Sequence, residues 1–229
     1  MKLFIDTGSV GEVEEIAPWG VLTGATTNPS LLAAEATEPG ETIRRICELL
    51  DGPVSAEAVS DSARELVSQG RALSDIHEHV VVKLPFSPSG LAATRELAQD
   101  GIRVNMTLVF TAAQALMSAE AGATYVSCFL GRLDDIGQDS AAGLAEVIGA
   151  LRSSDSRPLV LAASIRGPRH AVDAAKLGCD IATIPAKVLR QMTIHPLTHA
   201  GVERFAQDWS RDPKLADWLG GLTSEYAAA

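Results

Sequence analysis

Short runs of apolar residues alternate along the whole chain with longer segments whose apolar residues recur at helical spacing. Short apolar runs are typical of buried strands, and apolar residues that recur at helical spacing are typical of amphipathic helices. One helix is predicted over residues 41–50, for example, where Ile43 and Ile46 share a face and Gly52 with Pro53 ends the pattern. The runs predict eight strands, at residues 2–5, 22–26, 54–58, 80–85, 102–109, 124–130, 159–164 and 181–184.

This order of elements predicts a (β/α)8 TIM barrel, in which each strand is followed by a helix. About 250 residues are typical of that fold, close to the 229 of this chain. We predict one domain over residues 1–229, with residues 197–229 as a C-terminal helical extension. The alternative is an open doubly wound sheet, but as a nucleotide site it would need a glycine-rich phosphate loop, and neither G-x-G-x-x-G nor a Walker motif occurs.

Local signals refine three segments of this prediction. Ser9 and Glu12 have the spacing of a capping box and predict the start of the first helix. Residues 131–135 are predicted to form a loop after the sixth strand. Arg169 and His170, which lie one turn beyond the end of the seventh strand, are predicted to face solvent.

Composition restricts the partners and the location of the protein. A net charge of −10 argues against nucleic acid and anionic membranes, because both attract basic patches. Cys47, Cys128 and Cys179 lack the paired spacing of a zinc or redox site, which favours reduced, buried thiols. The N-terminus lacks a secretory apolar segment, and no apolar run reaches the ~18 residues of a membrane span. We expect a cytoplasmic protein that binds a small molecule.

The fourth predicted strand carries a lysine, Lys83, near the end of the apolar run Val80-Val81-Val82. A buried ammonium must find a partner or lose its proton, because desolvation disfavours its charged form. The neutral amine could attack a carbonyl and form a Schiff base. Alternatively, the side chain could extend out of the strand end or pair with a buried carboxylate.

Polar residues occupy the ends of most predicted strands, where the catalytic groups of TIM barrels lie. They are Asp6, Asn28, Glu57, Lys83, Asn105, Thr107, Ser127, Ser164 and Arg166. Each has a structural alternative: Asp6 could cap a helix, Asn28 could form a turn, Glu57 could neutralise Lys83, and hydroxyls could bond the nearby backbone. Because all of them would meet at one mouth of the barrel, the set favours a functional site.

Two arginines follow strand ends and are candidate anion ligands, because a guanidinium binds phosphate oxygens in a bidentate manner. They are Arg132 and Arg166, and the alternative for each is a solvated loop position. The histidines lack metal-ligand spacing, so the sequence predicts no metal site.

Together these residues resemble the small, single-barrel transaldolases, a family that also contains the fructose 6-phosphate aldolases. A lysine on the fourth strand separates this family from class I aldolases that carry it on the sixth. The matching motifs run nearly end to end: Phe4-Ile5-Asp6-Thr7, Thr26-Thr27-Asn28-Pro29-Ser30, Val82-Lys83-Leu84-Pro85, Asn105-Met106-Thr107-Leu108-Val109-Phe110, Gly131-Arg132-Leu133-Asp134-Asp135, Ala162-Ala163-Ser164-Ile165-Arg166 and Phe205 to Trp209.

The resemblance implies a mechanism without a metal or organic cofactor. Lys83 would form an imine with a ketose phosphate, Glu57 would move protons through a water that Thr107 helps to hold, and Asp6 would take the proton of the C4 hydroxyl. The remaining implied roles are substrate binding: Asn28 and Asn105 on dihydroxyacetone hydroxyls, Ser164, Arg132 and Arg166 on the phosphate, and Ser127 and Phe129 beside them.

Three positions separate transferases from aldolases in this family. The aldolases have glutamine in place of Glu57, leucine in place of Asn105 and tyrosine in place of Phe129. This chain has the transferase residue at all three positions, so the resemblance implies a transaldolase. The resemblance also implies a homo-oligomer, a decamer of two pentamers. The alternatives are a fructose 6-phosphate aldolase that releases dihydroxyacetone and a non-catalytic sugar-phosphate-binding barrel.

Overall fold

Eight parallel strands close into a barrel in the computed structural model, which describes residues 1–152 and 157–227. The strands follow one another around the barrel in chain order, and the last pairs with the first. They are β1 (Lys2–Asp6), β2 (Leu22–Thr26), β3 (Val54–Glu57), β4 (Val80–Pro85), β5 (Val104–Val109), β6 (Tyr125–Phe129), β7 (Leu159–Ala163) and β8 (Ile181–Pro185). The predicted TIM barrel is confirmed.

Helices up to residue 192 alternate with the strands and surround the barrel, and two more helices follow further along the chain. Their bounds are α1 (Val10–Ile16), α2 (Pro29–Ala33), α3 (Pro39–Leu50), α4 (Ala63–Ser74), α5 (Pro88–Gln99), α6 (Ala112–Glu120), α7 (Leu130–Asp135), α8 (Ser140–Leu151), α9 (Pro168–Lys176), α10 (Ala186–Met192), α11 (Pro196–Arg211) and α12 (Pro213–Ala227). On α3 the predicted face is buried, including Ile43 and Ile46, and the helix begins two residues earlier than predicted because Glu38 caps it.

Alternation along the strands divides the barrel interior into an apolar and a polar layer. Side chains two positions apart on a strand point to the same side. The lower layer is a buried apolar cluster that includes Phe4, Val81, Tyr125, Leu161 and Ile181. The layer two residues further along the same strands consists of Asp6, Lys83, Ser127, Ala163 and Thr183. The fold therefore presents polar side chains at the carboxyl ends of the strands, above an apolar floor.

The predicted start of the first helix after Ser9 is confirmed, but the predicted capping box and the predicted loop over residues 131–135 were wrong. Ser9 precedes α1, but its side chain makes no capping hydrogen bond. Instead Thr7 Oγ1 donates to Glu12 Oε2 at 2.6 Å and accepts the Ser9 amide at 3.0 Å. Residues 131–135 belong to α7 rather than to a loop. Gly131 N–H donates to the Ser164 carbonyl at 3.0 Å, which holds this helix against the end of β7.

The chain forms two compact units, Met1–Gln191 and the residues from Met192 onward. Within the second unit α11 contacts α12, and the Trp209 and Trp218 rings lie 6.4 Å apart between centroids. The predicted C-terminal extension is thus helical over its described part, while a single domain over residues 1–229 stays a prediction. Among the described residues, no helix has the length and apolar character needed to cross a membrane.

Candidate active site

Lys83 lies at the centre of the polar layer and is only 5% exposed. Its Nζ is 2.9 Å from Glu57 Oε2 and donates a hydrogen bond to the Thr27 carbonyl at 3.1 Å. Glu57 and Lys83 are directly opposite each other in the β3–β4 register, so the sheet itself places the two charges in contact. The amine therefore sits beside a carboxylate that can accept its proton.

A second carboxylate, Asp6, lies in the same layer in a different environment. Thr26 Oγ1 lies 2.7 Å from Asp6 Oδ1 and 2.7 Å from Thr183 Oγ1. Burial raises the pKa of Asp6, and the Thr26 hydrogen bond and the nearby Lys83 charge oppose that increase only in part. A carboxyl with a raised pKa is suited to accepting a proton and returning it.

Asn105 is fully buried, and hydroxyl groups on both neighbouring sides fix its amide. Its Nδ2 donates to Ser55 Oγ at 3.0 Å, and its Oδ1 accepts from Ser127 Oγ at 2.7 Å. Asn28 has a second task, because its Oδ1 accepts the Leu31 amide at 3.0 Å and caps α2. Asn28 therefore has a local structural role, as the cap of a helix, and also lines the cavity.

Thr107 lies beside an irregularity in β5. The pairing of β5 with β6 shifts between Met106 and Val109, and Leu108 has a φ of 58°, in the left-handed region. Thr107 is fully buried, and its Oγ1 has no hydrogen-bond partner among the residues that the structure describes. Buried hydroxyls normally have partners, so the Thr107 hydroxyl is an exception among the buried side chains that the structure describes.

A cavity of about 150 Å³ opens above this layer. It is lined by Asp6, Thr26, Asn28, Lys83, Ser127, Phe129, Arg132, Ala163, Ser164 and Thr183. A neighbouring cavity of about 400 Å³ also contacts Lys83 and is lined in addition by Glu57 and Leu108. The structure thus brings most of the predicted site residues together, with Asn105 and Thr107 buried in the adjoining strand β5.

Of the two predicted anion ligands, Arg132 lines both cavities, whereas Arg166 is not among the residues that line either of them. The Arg132 guanidinium lies 5.3 Å from the centre of the Phe129 ring and lines the cavity. Arg166 is more than half exposed, and its Nη2 is 2.6 Å from Asp135 Oδ2. Ser164, between β7 and Arg166, has a φ of 57°, a strained value of the kind that accumulates at functional sites.

Sequence reasoning missed several residues that complete the polar layer. Ser55 Oγ accepts from the Asn105 amide, Thr26 Oγ1 donates to Asp6 Oδ1, and Thr183 Oγ1 lies 2.7 Å from Thr26 Oγ1. The two-residue period could have indicated Ser55 and Thr26, which lie two positions before Glu57 and Asn28, whereas Thr183 is on a strand that carries no predicted site residue. The expectation that His170 faces solvent was wrong, because its side chain is 20% exposed and lies 2.8 Å from Asp134.

Comparisons with known proteins agree on one family. A family model described as Transaldolase/Fructose-6-phosphate aldolase matches residues 3–218. A protein of Caldicellulosiruptor saccharolyticus named probable transaldolase is 50% identical over 215 residues, covering 93% of this chain and 99% of that protein. Proteins of the same name from Myxococcus xanthus and Thermus thermophilus are each 49% identical, covering 94% and 92% of this chain and 97% and 99% of their own lengths.

Proposed function

Because the chain belongs to the transaldolase/fructose-6-phosphate aldolase family, a family of enzymes, we propose that it is a transaldolase. It transfers a dihydroxyacetone unit from sedoheptulose 7-phosphate to glyceraldehyde 3-phosphate, and in reverse from fructose 6-phosphate to erythrose 4-phosphate. The observation that carries this proposal is the buried Lys83 amine in contact with Glu57, with Asp6 lining the same cavity.

The reaction begins at the Lys83 nitrogen. The Lys83 ammonium gives a proton to Glu57, the resulting neutral amine attacks the ketone carbon, and loss of water from the carbinolamine leaves a protonated imine. Asp6 then takes the C4 hydroxyl proton, the C3–C4 bond breaks, and its electron pair moves into the imine to give an enamine. The aldose phosphate leaves, and the enamine carbon attacks the aldehyde carbon of a second aldose phosphate. Water then hydrolyses the new imine, which releases the product ketose phosphate and restores the Lys83 amine. The imine itself accepts the electrons, so no metal or organic cofactor is needed in this scheme.

The other candidate residues bind the substrate. Asn105 is held between two hydroxyls and presents a fixed amide to the dihydroxyacetone part, together with Asn28. Thr107 holds the water through which Glu57 passes protons, which gives its buried hydroxyl a partner. Arg132, Ser164 and Arg166 hold the phosphate, where bidentate guanidinium contacts are favourable.

Transfer rather than release follows from Phe129. Its ring contacts Phe110 edge-on at 5.9 Å and lies beside the Arg132 guanidinium, so this wall of the cavity carries no hydroxyl. Because Phe129 itself neither orders water nor donates a proton to the enamine carbon, the enamine persists until an acceptor aldehyde arrives. Phe129→Tyr should therefore increase the release of free dihydroxyacetone from fructose 6-phosphate. An unchanged ratio of free to transferred dihydroxyacetone would contradict this role of Phe129.

Trapping of the intermediate tests the chemistry. Borohydride added with fructose 6-phosphate should reduce the imine and leave a dihydroxyacetone adduct on the peptide that contains Lys83, detected by mass spectrometry. Lys83→Met should abolish the adduct, while Lys176→Met, at an exposed lysine on α9, should not change it. A non-catalytic sugar-phosphate binder would give no adduct. A product assay with and without erythrose 4-phosphate then separates a transferase from an aldolase, because only the transferase needs the acceptor.

The proposal includes assembly and location. We place the enzyme in the cytoplasm, acting on sugar phosphates as a homo-oligomer, a decamer of two pentamers. Val202 and Phe205 on α11 are 62% and 74% exposed within the single chain, and burial of such side chains between subunits would be favourable. Native mass spectrometry measures the assembly, and a monomer at micromolar concentration would contradict this part.

A further inference from the structure

Helix α7 and the segment after β7 are joined by three contacts from one face of the helix. Gly131, Asp134 and Asp135 have the i, i+3, i+4 spacing of a common helix face. Gly131 N–H donates to the Ser164 carbonyl, Asp135 binds the Arg166 guanidinium, and Asp134 Oδ2 lies 2.8 Å from His170 Nε2. The segment that carries Ser164 and Arg166 is thus fixed from one side by a single short helix.

The His170 ring continues this connection to the backbone of Arg166. The Arg166 N–H donates to His170 Nδ1 at 3.2 Å. Since a backbone N–H can only donate, Nδ1 must be the unprotonated nitrogen, and the ring proton must be on Nε2, where it faces the Asp134 carboxylate. The contacts of His170 with Asp134 and Arg166 therefore select one tautomer of the imidazole, and each ring nitrogen has one defined partner.

The position of His170 on α9 explains why this residue can reach the strand end. Gly167 is the N-cap of α9 and Pro168 its first residue, so His170 is at the third helical position. Side chains at that position commonly turn back and accept a backbone N–H near the N-cap. Here the acceptor is an imidazole nitrogen and the donor is Arg166, the residue directly before the N-cap.

We propose that His170, oriented by Asp134, is a positioning residue for the phosphate-binding group Arg166. This inference rests on the proposed function, in which Arg166 binds the phosphate of the sugar. His170 holds the backbone of Arg166, and Asp135 holds its guanidinium, so the donors have one arrangement before the phosphate arrives. Preorganised donors bind an anion more tightly because less freedom is lost on binding.

The test compares a phosphorylated with an unphosphorylated substrate. Borohydride trapping on Lys83 is measured against increasing fructose 6-phosphate and against increasing dihydroxyacetone, which forms the same adduct without a phosphate. His170→Ala should raise the half-saturating concentration of fructose 6-phosphate roughly tenfold, the equivalent of one good hydrogen bond. The value for dihydroxyacetone should stay within about twofold of the wild type, because Lys83 is unaffected.

Conservative variants separate positioning from general stability. His170→Asn keeps an acceptor near the place of Nδ1, so it should bind fructose 6-phosphate much more tightly than His170→Ala does. Asp134→Asn keeps an oxygen facing Nε2, so its affinity for fructose 6-phosphate should stay close to that of the wild type. Arg169→Ala is the matched control, since Arg169 is the preceding residue, is exposed and pairs only with Asp173 among the described contacts. It should behave as the wild type with both substrates.

Each result decides the question. Parallel loss of trapping with both substrates in His170→Ala, in proportion to the folded fraction measured by circular dichroism, would overturn the inference. Failure of His170→Asn to fold or to recover affinity would also overturn it. Absence of both adducts in the wild type would instead refute the proposed function, so the two failures are distinguishable.

Discussion

Replacing Lys83 by methionine should destabilise the barrel as well as abolish catalysis. The Lys83 ammonium and the Glu57 carboxylate are 2.9 Å apart, and their side chains are only 7% and 13% exposed. Methionine fills most of the same volume without a charge, so the cavity left behind is small. The main effect is therefore electrostatic, because Glu57 loses its partner in a layer that is largely buried.

The magnitude follows from the distance and the burial. At 2.9 Å the Coulomb attraction is about 6 kcal/mol for an effective dielectric constant of 20, and the lost hydration of both groups offsets much of it. Removing one member of a buried pair usually costs about 3–5 kcal/mol. Because Glu57 keeps some contact with solvent, we expect the lower end, about 3 kcal/mol. For a chain of this size that corresponds to a decrease in Tm of about 6–12 °C.

A double-mutant cycle isolates the pair. Thermal and urea unfolding are compared for the wild type, Lys83→Met, Glu57→Gln and the double variant. The double variant should be more stable than the sum of the single effects predicts, with a coupling of about 1–3 kcal/mol. Lys176→Met, at an exposed site on α9, serves as the control and should leave Tm unchanged. Additive effects, or a Lys83→Met variant as stable as the wild type, would refute the reasoning.

Three further predictions address other parts of the site. Gly131→Ala places a Cβ 2.4 Å from the Ser164 carbonyl oxygen, so stability should fall by about 1–3 kcal/mol in urea unfolding and the KM for fructose 6-phosphate should rise; unchanged values would contradict the close approach. Thr107→Val removes a buried hydroxyl without a partner among the described residues, so stability should hold or rise by about 1 kcal/mol while kcat falls roughly a hundredfold; full activity would exclude a role for that hydroxyl. Asp6 must be ionised to act as a base and burial raises its pKa, so kcat should fall on the acid side at a higher pH than for an exposed aspartate. Because burial raises the folded-state pKa of Asp6, its contribution to stability is present below the unfolded-state pKa and is lost as pH rises through the folded-state pKa. Asp6→Asn should remove this loss of stability in unfolding measured across pH. A pH profile of stability that Asp6→Asn leaves unchanged would contradict the raised pKa.

The barrel could be predicted from the sequence because its signals are local. Apolar runs, their spacing and the position of Lys83 within such a run depend on a few neighbouring residues, and all eight predicted strands occur within one to two residues of their observed bounds. The sequence also placed Asn105 and Thr107 on the fifth strand, where they occur. The regular part of β5 ends near Thr107, because the strand becomes irregular at Leu108. No signal in the sequence indicated the positive φ of Leu108.

Contacts between distant segments could not be predicted in this way. Helix α7 is short and contains a glycine, so its own sequence favours a loop, and the hydrogen bond from Gly131 to Ser164 depends on the closed sheet. The same holds for His170, whose partners Asp134 and Arg166 come from two different units of the barrel. Ser164 lies about 30 residues or more from Gly131 and so does Asp134 from His170, beyond the reach of local propensity, although Arg166 is a near neighbour of His170 in the chain.

The closed sheet also explains how two carboxylates near Lys83 can have separate tasks, since Asp6 and Glu57 line two neighbouring cavities. Register places Glu57 opposite Lys83, so that carboxylate contacts the amine directly. The pairing of β1 with β2 instead places Asp6 opposite Thr26, and hydroxyls occupy the space around it. Glu57 is therefore the group placed to take the amine proton, and Asp6 stays free to act on the sugar hydroxyl. If both carboxylates served the amine, Asp6→Asn would slow imine trapping on Lys83 as much as Glu57→Gln does; we expect Glu57→Gln to slow trapping and Asp6→Asn to slow cleavage after the imine has formed.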